Sequence, residues 1–212
     1  MTDVSPSKKP FNPTPFAQDI VSRAGIVDET TEAELIRAMS LIDRSKFIVS
    51  GYEDRLTEDV SLPIGFKQMS LKPSALARSI GLLGIHKGMR VLEVGAGSGY
   101  GSALMLSMGA EVFCMEQAGL FAQQTRKKLD AMGFSKILFR AGDGSRGWAE
   151  LAPFDAIIVT FPSLKPTKEL LSQLRSEKGK LVGPFGNPGE EHLWLYESGK
   201  ILHSYELEPW SG

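Results

Sequence analysis

The sequence predicts an α/β chain built on a doubly wound, mostly parallel seven-stranded sheet. A helical extension precedes the sheet and an antiparallel hairpin ends it. Three observations predict this. From residue 85 onward, short apolar runs alternate with stretches of helical period, the pattern of parallel strands joined by crossover helices. Residues 154–160 are nearly all apolar, as a strand covered on both faces must be. Two strand-like runs near the end, 193–196 and 201–207, are joined by Glu197-Ser198-Gly199-Lys200, which reads as a hairpin turn.

The elements follow in order. Residues 1–15 carry Pro6, Pro10, Pro13 and Pro15 with Lys8 and Lys9, and read as an extended, flexible arm. Phe16, Ile20 and Val21 fall at helical spacing, and Gly25 stops that helix. Thr31-Glu32-Ala33-Glu34 is a capping-box sequence, followed by Leu35, Met39 and Ile42 on one face. Residues 44–49 form a short link with Phe47 as a core anchor, and 51–65 a polar loop ending in Leu62-Pro63-Ile64-Gly65. Residues 73–83 read as a helix with Leu76, Ile80 and Leu83 inward. The sheet then begins, with strands at 91–94, 111–115, 136–140, 154–160 and 180–184. Helices are expected at 102–108, 120–132 and 167–174. One domain over 16–212 is expected, divided into a helical part, 16–84, and a sheet part, 85–212.

Composition narrows the class. The 212 residues carry a formal charge of −1, which points to neither a nucleic-acid nor a membrane partner. The single cysteine, Cys114, sits in the apolar run Val112-Phe113-Cys114-Met115 and reads as a core residue. A disulfide framework or cysteine metal site is excluded by count. No apolar run approaches the ~20 residues of a membrane span. A cytoplasmic monomer without metal is the expectation.

The chemistry concentrates in Arg90-Val91-Leu92-Glu93-Val94-Gly95-Ala96-Gly97-Ser98-Gly99-Tyr100-Gly101. A strand, a glycine turn and a helix opening make a nucleotide-type site. The dinucleotide fingerprint needs glycine where Tyr100 stands, and the Gly-Lys-Ser/Thr of a phosphate loop is absent. Glu93 would repel a pyrophosphate but suits a cation. S-adenosylmethionine has no phosphate and carries a sulfonium and an ammonium, so this spacing favours a methyl donor. Glu116 follows the second strand, where a carboxylate would grip two ribose hydroxyls; the other reading is an exposed strand-end glutamate. Asp143 follows the third strand, as an acceptor for an adenine amino group or as an ordinary Asp-Gly turn. Thr160-Phe161-Pro162 follows the fourth strand and would line the acceptor side. Base N-methyltransferases often carry Asn/Asp-Pro-Pro-aromatic there, and Phe161-Pro162-Ser163 lacks both the amide and the second proline.

The three histidines, His86, His192 and His203, compose no Ser-His-Asp arrangement and no metal spacing. Methyl transfer from a sulfonium needs neither. It is an in-line displacement in which positioning supplies most of the acceleration. A carboxylate acceptor is already nucleophilic at neutral pH and needs no general base.

From about residue 16 to near the C-terminus the chain resembles the protein-L-isoaspartate (D-aspartate) O-methyltransferase family. Arg44-x-x-Phe47-Ile48-Val49 is similar to its R-x-x-F-V, and Tyr52-Glu53-Asp54 and Leu62-Pro63-Ile64-Gly65 to its Y-x-D and L-P-I-G. Residues 91–100 resemble its V-L-E-I-G-T-G-S-G-Y. Gly142-Asp143-Gly144-Ser145-x-Gly147-Trp148 and Pro153-Phe154-Asp155-Ala156-Ile157-Ile158-Val159-Thr160 resemble its G-D-G-x-x-G-W and P-F-D-A-I-I-V-T. The resemblance implies a Rossmann-like methyltransferase fold and S-adenosylmethionine as cofactor. The expected cofactor contacts are Glu93, Gly95, Ala96, Gly97, Ser98, Gly99, Glu116 on the ribose, Gln117, Asp143 near the adenine, Gly144 and Thr160. It also implies a protein, peptide or small-molecule carboxylate as acceptor. The family methylates the abnormal carboxylate of isoaspartyl residues, which starts their repair.

One loop departs from the family. Its pattern, about G-Y-G-Q-T-I-S-Q-P, has hydroxyl residues bordering the reacting carboxylate. Here the loop reads Gly65-Phe66-Lys67-Gln68-Met69-Ser70-Leu71-Lys72-Pro73. Gly65, Gln68 and Pro73 keep the register without a gap, so Met69 stands at the threonine and Leu71 at the serine. Lys67 replaces a glycine and Lys72 a glutamine. Gln68, Ser70 and Leu71 are the expected acceptor-side residues, with Lys67 or Lys72 as anion anchors, and activity on isoaspartyl peptides is expected to be weak or absent. The other readings are a methyltransferase acting on a different small-molecule acceptor and a non-catalytic cofactor-binding or interaction protein of the same fold.

Overall fold

The computed structural model describes residues 12–134, 137–176, 178–197 and 200–206. The elements run α1 (Pro13–Ala24), α2 (Glu29–Leu41), β1 (Pro63–Gly65), β2 (Gln68–Met69), α3 (Pro73–Leu83), β3 (Arg90–Val94), α4 (Tyr100–Ser107), β4 (Glu111–Glu116) and α5 (Gly119–Ala131). They continue with β5 (Leu138–Ala141), β6 (Ala156–Val159), α6 (Lys168–Ser172), β7 (Lys180–Phe185), β8 (His192–Glu197) and β9 (Lys200–Glu206). The main sheet has the order β5-β4-β3-β6-β7-β8-β9. Strands β5 to β7 are parallel, and β8 and β9 are antiparallel. The predicted doubly wound sheet with a terminal antiparallel hairpin is therefore the fold, although the hairpin's turn residues, Ser198 and Gly199, lie outside the described residues. The strand order reverses between β3 and β6, the place where ligands bind in such sheets.

The sheet's two faces follow from alternation along β3. Leu92 and Val94 join Phe113, Met115, Ile157, Val159, Leu181 and Phe185 in one cluster. Val91 belongs to the opposite face, where Phe16, Ile20, Leu35, Met39, Phe47, Leu76 and Ile80 form one continuous core with Leu104, Cys114 and Ile158. The N-terminal helices are thus packed on the sheet's own core. Among the described residues no helix is long and apolar enough to cross a membrane.

Several boundaries differ from the sequence reading. Helix α1 starts at Pro13, capped by the Asn12 side chain, which accepts from Thr14 N at 3.3 Å. Proline suits a first turn, whose N–H groups have no helical partner. The expected extended arm therefore ends earlier than residue 15, and residues 1–11 lie outside the described residues. The cap of α2 is Asp28, which accepts from Thr31 N at 2.7 Å, and not Thr31 itself. Glu29 and Glu32 then fall in the first turn, where the helix dipole favours them. Strand β6 is shorter than expected, because Phe154 makes only an isolated bridge to Leu174. The expected strand at 136–140 is observed from Leu138, and Lys136 lies outside the described residues.

The polar loop hides a small hairpin. Strands β1 and β2 pair through Gly65 and Gln68, with Phe66 and Lys67 as the two turn residues. Both have left-handed backbone, φ 52° and 59°. That is the geometry of a tight hairpin turn, usually made by Asn-Gly. For residues with a Cβ it costs roughly 1–2 kcal/mol each. The Phe66 ring offsets part of this by stacking on Phe121 of α5, centroids 4.8 Å apart.

Candidate functional site

The hairpin covers the carboxyl ends of β3, β4 and β6. Beneath it is a cavity of about 500 Å³, within the range of cofactor sites. Gln68, Ser70, Leu71, Glu93, Gly95, Ala96, Gly97, Ser98, Glu116, Gln117, Asp143, Gly144 and Thr160 all line it. Gly99 does not. It is the left-handed N-cap of α4, φ 88°, and a Cβ there would meet Thr125 Cγ2 at 2.6 Å. Its part is to let the chain turn into α4 against α5, which corrects its expected place in the site.

The glycine turn is held from every side by hydrogen bonds. Gly95 N and Ala96 N donate to Met115 O at 2.8 and 3.2 Å. Gly97 N donates to Glu116 Oε2 at 3.0 Å. Thr125 Oγ1, buried on α5, donates to Gly97 O at 2.7 Å. One turn further along α5, Lys128 Nζ reaches Ser98 O at 3.5 Å and stands 5.1 Å from the centroid of the Phe47 ring. The Thr160 hydroxyl donates to Gly95 O and, at 3.2 Å, to Val94 O. Gly95 has φ 90°, and a Cβ there would lie 2.6 Å from Thr160 Oγ1. The turn is therefore rigid before any ligand arrives. Thr125 and Lys128 were not expected as site residues. Their only sequence signal is polar side chains three apart on α5, and that spacing does not say what they face.

Glu116 is 5 % exposed, so the strand-end reading as an exposed glutamate does not hold. Its Oε1 accepts from Ala118 N and its Oε2 from Gly97 N, both at 3.0 Å. Each oxygen keeps a further lone-pair site for a hydroxyl donor. Asp143 is exposed at the rim, and its Oδ1 accepts from Ser145 N at 2.9 Å. Hydrogen bonds from Ser145 hold its carboxyl below the usual carboxylate range. The donor set fits a nucleoside with a cationic tail: a carboxylate for two hydroxyls, an acceptor at the rim and no phosphate-binding lysine in the glycine turn.

Glu93 behaves differently from a surface anion. It is 1 % exposed and faces the helical core, where Ser102 Oγ donates to its Oε2 and Cys114 Sγ lies 3.8 Å from the same oxygen. Burial pushes its carboxyl up to about 7, opposed in part by the Ser102 and Cys114 hydrogen bonds. The same burial, with Glu93 beside it, raises the Cys114 thiol. A folded-state value above the unfolded one means that native Glu93 keeps its proton longer. Its favourable contribution is complete below about pH 4.5 and is lost as pH rises through about 7. Between the ordinary 4.5 and about 7, the full loss is on the order of 3 kcal/mol, by 1.36 kcal/mol per unit. Urea unfolding of the ligand-free protein at pH 5 and pH 8 measures it. Glu93→Gln should remove this part of the slope; an unchanged slope would contradict the assignment.

The acceptor side is poor in donors. Met69 and Leu71 line the cavity without a polar hydrogen, and Leu71 also packs on the helical core. Ser70 Oγ accepts from Leu62 N at 3.0 Å, and Ser70 N donates to Leu62 O at 2.8 Å. These two hydrogen bonds to Leu62 fix the loop's register and leave Ser70 one hydroxyl proton to give. Deeper in the wall are Arg44, Phe47 and Tyr100. Burial raises the Tyr100 phenol, and its hydroxyl has no hydrogen-bond partner among the described residues.

Comparison with known proteins agrees with this geometry. A family model described as protein-L-isoaspartate (D-aspartate) O-methyltransferase matches residues 19–203. A protein-L-isoaspartate O-methyltransferase of Stenotrophomonas maltophilia (strain K279a) is 39% identical over 175 residues, 82% of this chain and 75% of the relative. One from Chromobacterium violaceum is 38% identical over 194 residues, 90% of this chain and 84% of the relative. Among solved structures, a protein-L-isoaspartate O-methyltransferase superposes with a TM-score of 0.75 at 23% identity, covering 92% of this chain and 65% of that one. A Plasmodium falciparum chain named for the same activity, solved in complex with S-adenosyl-L-homocysteine, also gives 0.75, at 20% identity and coverages of 94% and 95%. The two structures share the fold, and the relatives share the sequence across it. The chain belongs to the protein-L-isoaspartate (D-aspartate) O-methyltransferase family, S-adenosylmethionine-dependent O-methyltransferases.

Proposed function

We propose that this chain transfers a methyl group from S-adenosylmethionine to a carboxylate oxygen of a peptide or protein. Isoaspartyl residues are the acceptor class to test first. The observation that carries the reading is one cavity joining a rigid glycine turn, Glu116 and Asp143 on one side to the loop 67–73 on the other. When bound, the cofactor supplies an electrophilic methyl group on its sulfonium. Glu116 would take the two ribose hydroxyls, Asp143 the adenine amino group, and Glu93 the field of the positively charged end. Gly95, Ala96, Gly97, Ser98, Gln117, Gly144 and Thr160 would complete the cofactor wall. Gln68 and Ser70 would border the acceptor. No residue here has to remove a proton, because the acceptor carboxylate attacks in its ionised form. The work of the chain is to fix two groups in line and keep water from between them.

The experiment is methyl transfer from labelled donor to a matched pair of isoaspartyl and aspartyl peptides, with calorimetry of S-adenosyl-L-homocysteine. Binding of the product, with label in the isoaspartyl peptide alone, supports the reading. Absence of label in both counts against it. Glu116→Ala should weaken S-adenosyl-L-homocysteine binding by about 1–3 kcal/mol, the cost of losing hydrogen bonds to a charged group. An unchanged dissociation constant would remove Glu116 from the ribose site.

Met69 and Leu71 favour a second reading, a methyltransferase of the same fold whose carboxylate acceptor is not an isoaspartyl residue. Label appearing in another carboxylate compound but in neither peptide would select it.

A further inference from the structure

Two adjacent residues of the β1–β2 turn hold a backbone conformation that L residues rarely adopt, and the turn sits over the cavity. Strain of this kind persists where the surroundings over-determine it, and it concentrates at ligand sites. Phe66 has a visible compensation in its stack on Phe121. Lys67 has none. It is exposed, has φ 59°, and makes no hydrogen bond or ion pair among the described residues. Yet it lines the same cavity as Gln68, Met69, Ser70 and Leu71.

The charges around it single it out. Arg44 also lines the cavity, but it is only 2 % exposed and its guanidinium gives three hydrogen bonds to main-chain carbonyls. Glu93, Glu116 and Asp143 are the acidic groups on the cofactor wall, and each already has hydrogen-bond partners. Lys67 is thus the one accessible, uncompensated cation in the described cavity wall. An ammonium paired with the reacting oxygen would lower its nucleophilicity. The same ammonium beside that oxygen would attract a neighbouring anion without this cost.

We propose that Lys67 is a specificity residue that selects acceptors carrying a second negative charge next to the carboxylate being methylated. For a peptide this is an acidic side chain adjacent to the reacting residue. The inference rests on the proposed carboxylate methyl transfer. It accounts for a lysine at a turn position that glycine would fill without strain.

The test compares two isoaspartyl hexapeptides, one with neutral flanks and one with a flanking glutamate. It uses wild type, Lys67→Gly and Lys67→Gln. Wild type should show a KM about fivefold lower for the acidic peptide, the upper end for an exposed ion pair. Raising ionic strength should shrink that ratio. Both variants should lose it, with kcat within about twofold and S-adenosyl-L-homocysteine affinity unchanged. Lys67→Gly should also melt about 2–4 °C higher, because the strain is gone. Equal KM values in wild type, or a preference kept by both variants, would overturn the proposal. If wild type methylates neither peptide, the proposed function fails. Lys67 is then judged by calorimetry of the two peptides on the S-adenosyl-L-homocysteine complex. Tighter binding of the acidic peptide, lost in Lys67→Gly, supports it, and equal or absent binding overturns it.

Discussion

Arg44→Ala is expected to cost about 3–5 kcal/mol of stability, a large share of the 5–15 kcal/mol typical of a folded domain. Arg44 is 2 % exposed. Its Nη1 donates to Leu56 O at 2.9 Å and Glu58 O at 3.0 Å, and its Nη2 to Val60 O at 2.9 Å. It also lies 5.5 Å from the centroid of the Phe16 ring on α1. One side chain therefore ties the irregular segment before β1 to the first helix. Alanine would orphan three carbonyls at once, and each buried polar group left unpaired costs roughly 1–3 kcal/mol. Partial rehydration of the two less buried ones keeps the total below the sum. Burial lowers the guanidinium pKa, but arginine stays charged at every pH of interest. The loss should therefore be nearly independent of pH, unlike that at Glu93. Arg44→Lys keeps a charge but cannot reach three carbonyls, and should recover less than half. Urea unfolding of the three proteins decides this. Less than 1 kcal/mol lost in Arg44→Ala would show that the segment 56–60 is held by something else.

The contrast between Arg44 and the glycine turn shows what a sequence discloses. Strands β3, β4 and β6 were legible because parallel strands covered on both faces must be apolar throughout. The turn after β3 was legible because few backbones need glycine at three alternate positions after a strand. That Glu116 lies in the cavity wall was legible from its distance behind that turn. Arg44 shows in the sequence only as part of a motif, since nothing in Arg44-Ser45-Lys46-Phe47 says that a cation is buried. Its partners are main-chain carbonyls, which have no sequence identity. The β1–β2 hairpin was missed for a related reason. Its turn is Phe66-Lys67, where the usual signal is Asn-Gly, so the strain that marks it is invisible until φ is known. Thr125 was hidden by packing, and so was the part that Gly99 plays. One became a clamp on the glycine turn and the other a helix cap behind it.

The largest change in activity is expected from Met69→Thr/Leu71→Ser. This double variant should methylate an isoaspartyl peptide about 10²- to 10⁴-fold faster than wild type. A carboxylate drawn out of water must regain hydrogen bonds or lose its hydration uncompensated. A hydrogen bond to a charged group contributes roughly 1.5–3 kcal/mol, or about 10- to 150-fold in rate if it is made only in the transition state. Met69 and Leu71 supply none, and both line the cavity. A one-residue slip that would bring Ser70 to the place of Leu71 is opposed by the loop's own bonding. Pro63 pairs with Met69, Gly65 pairs with Gln68, and Ser70 is bonded twice to Leu62. A slip would break these contacts and turn every side chain to the other face. Met69 is 37 % exposed, so threonine there costs little packing. Leu71 packs on the helical core, so serine there costs stability. Met69→Thr/Leu71→Ala shares that packing loss without the second hydroxyl, and separates the two effects. Turnover should rise stepwise from wild type through the threonine–alanine variant to the threonine–serine variant, with S-adenosyl-L-homocysteine affinity constant. If wild type already turns over as fast as the double variant, the missing hydroxyls are not what limits this acceptor site. Ser70, which keeps one hydroxyl proton to give, would then supply the hydrogen bond that the transition state requires.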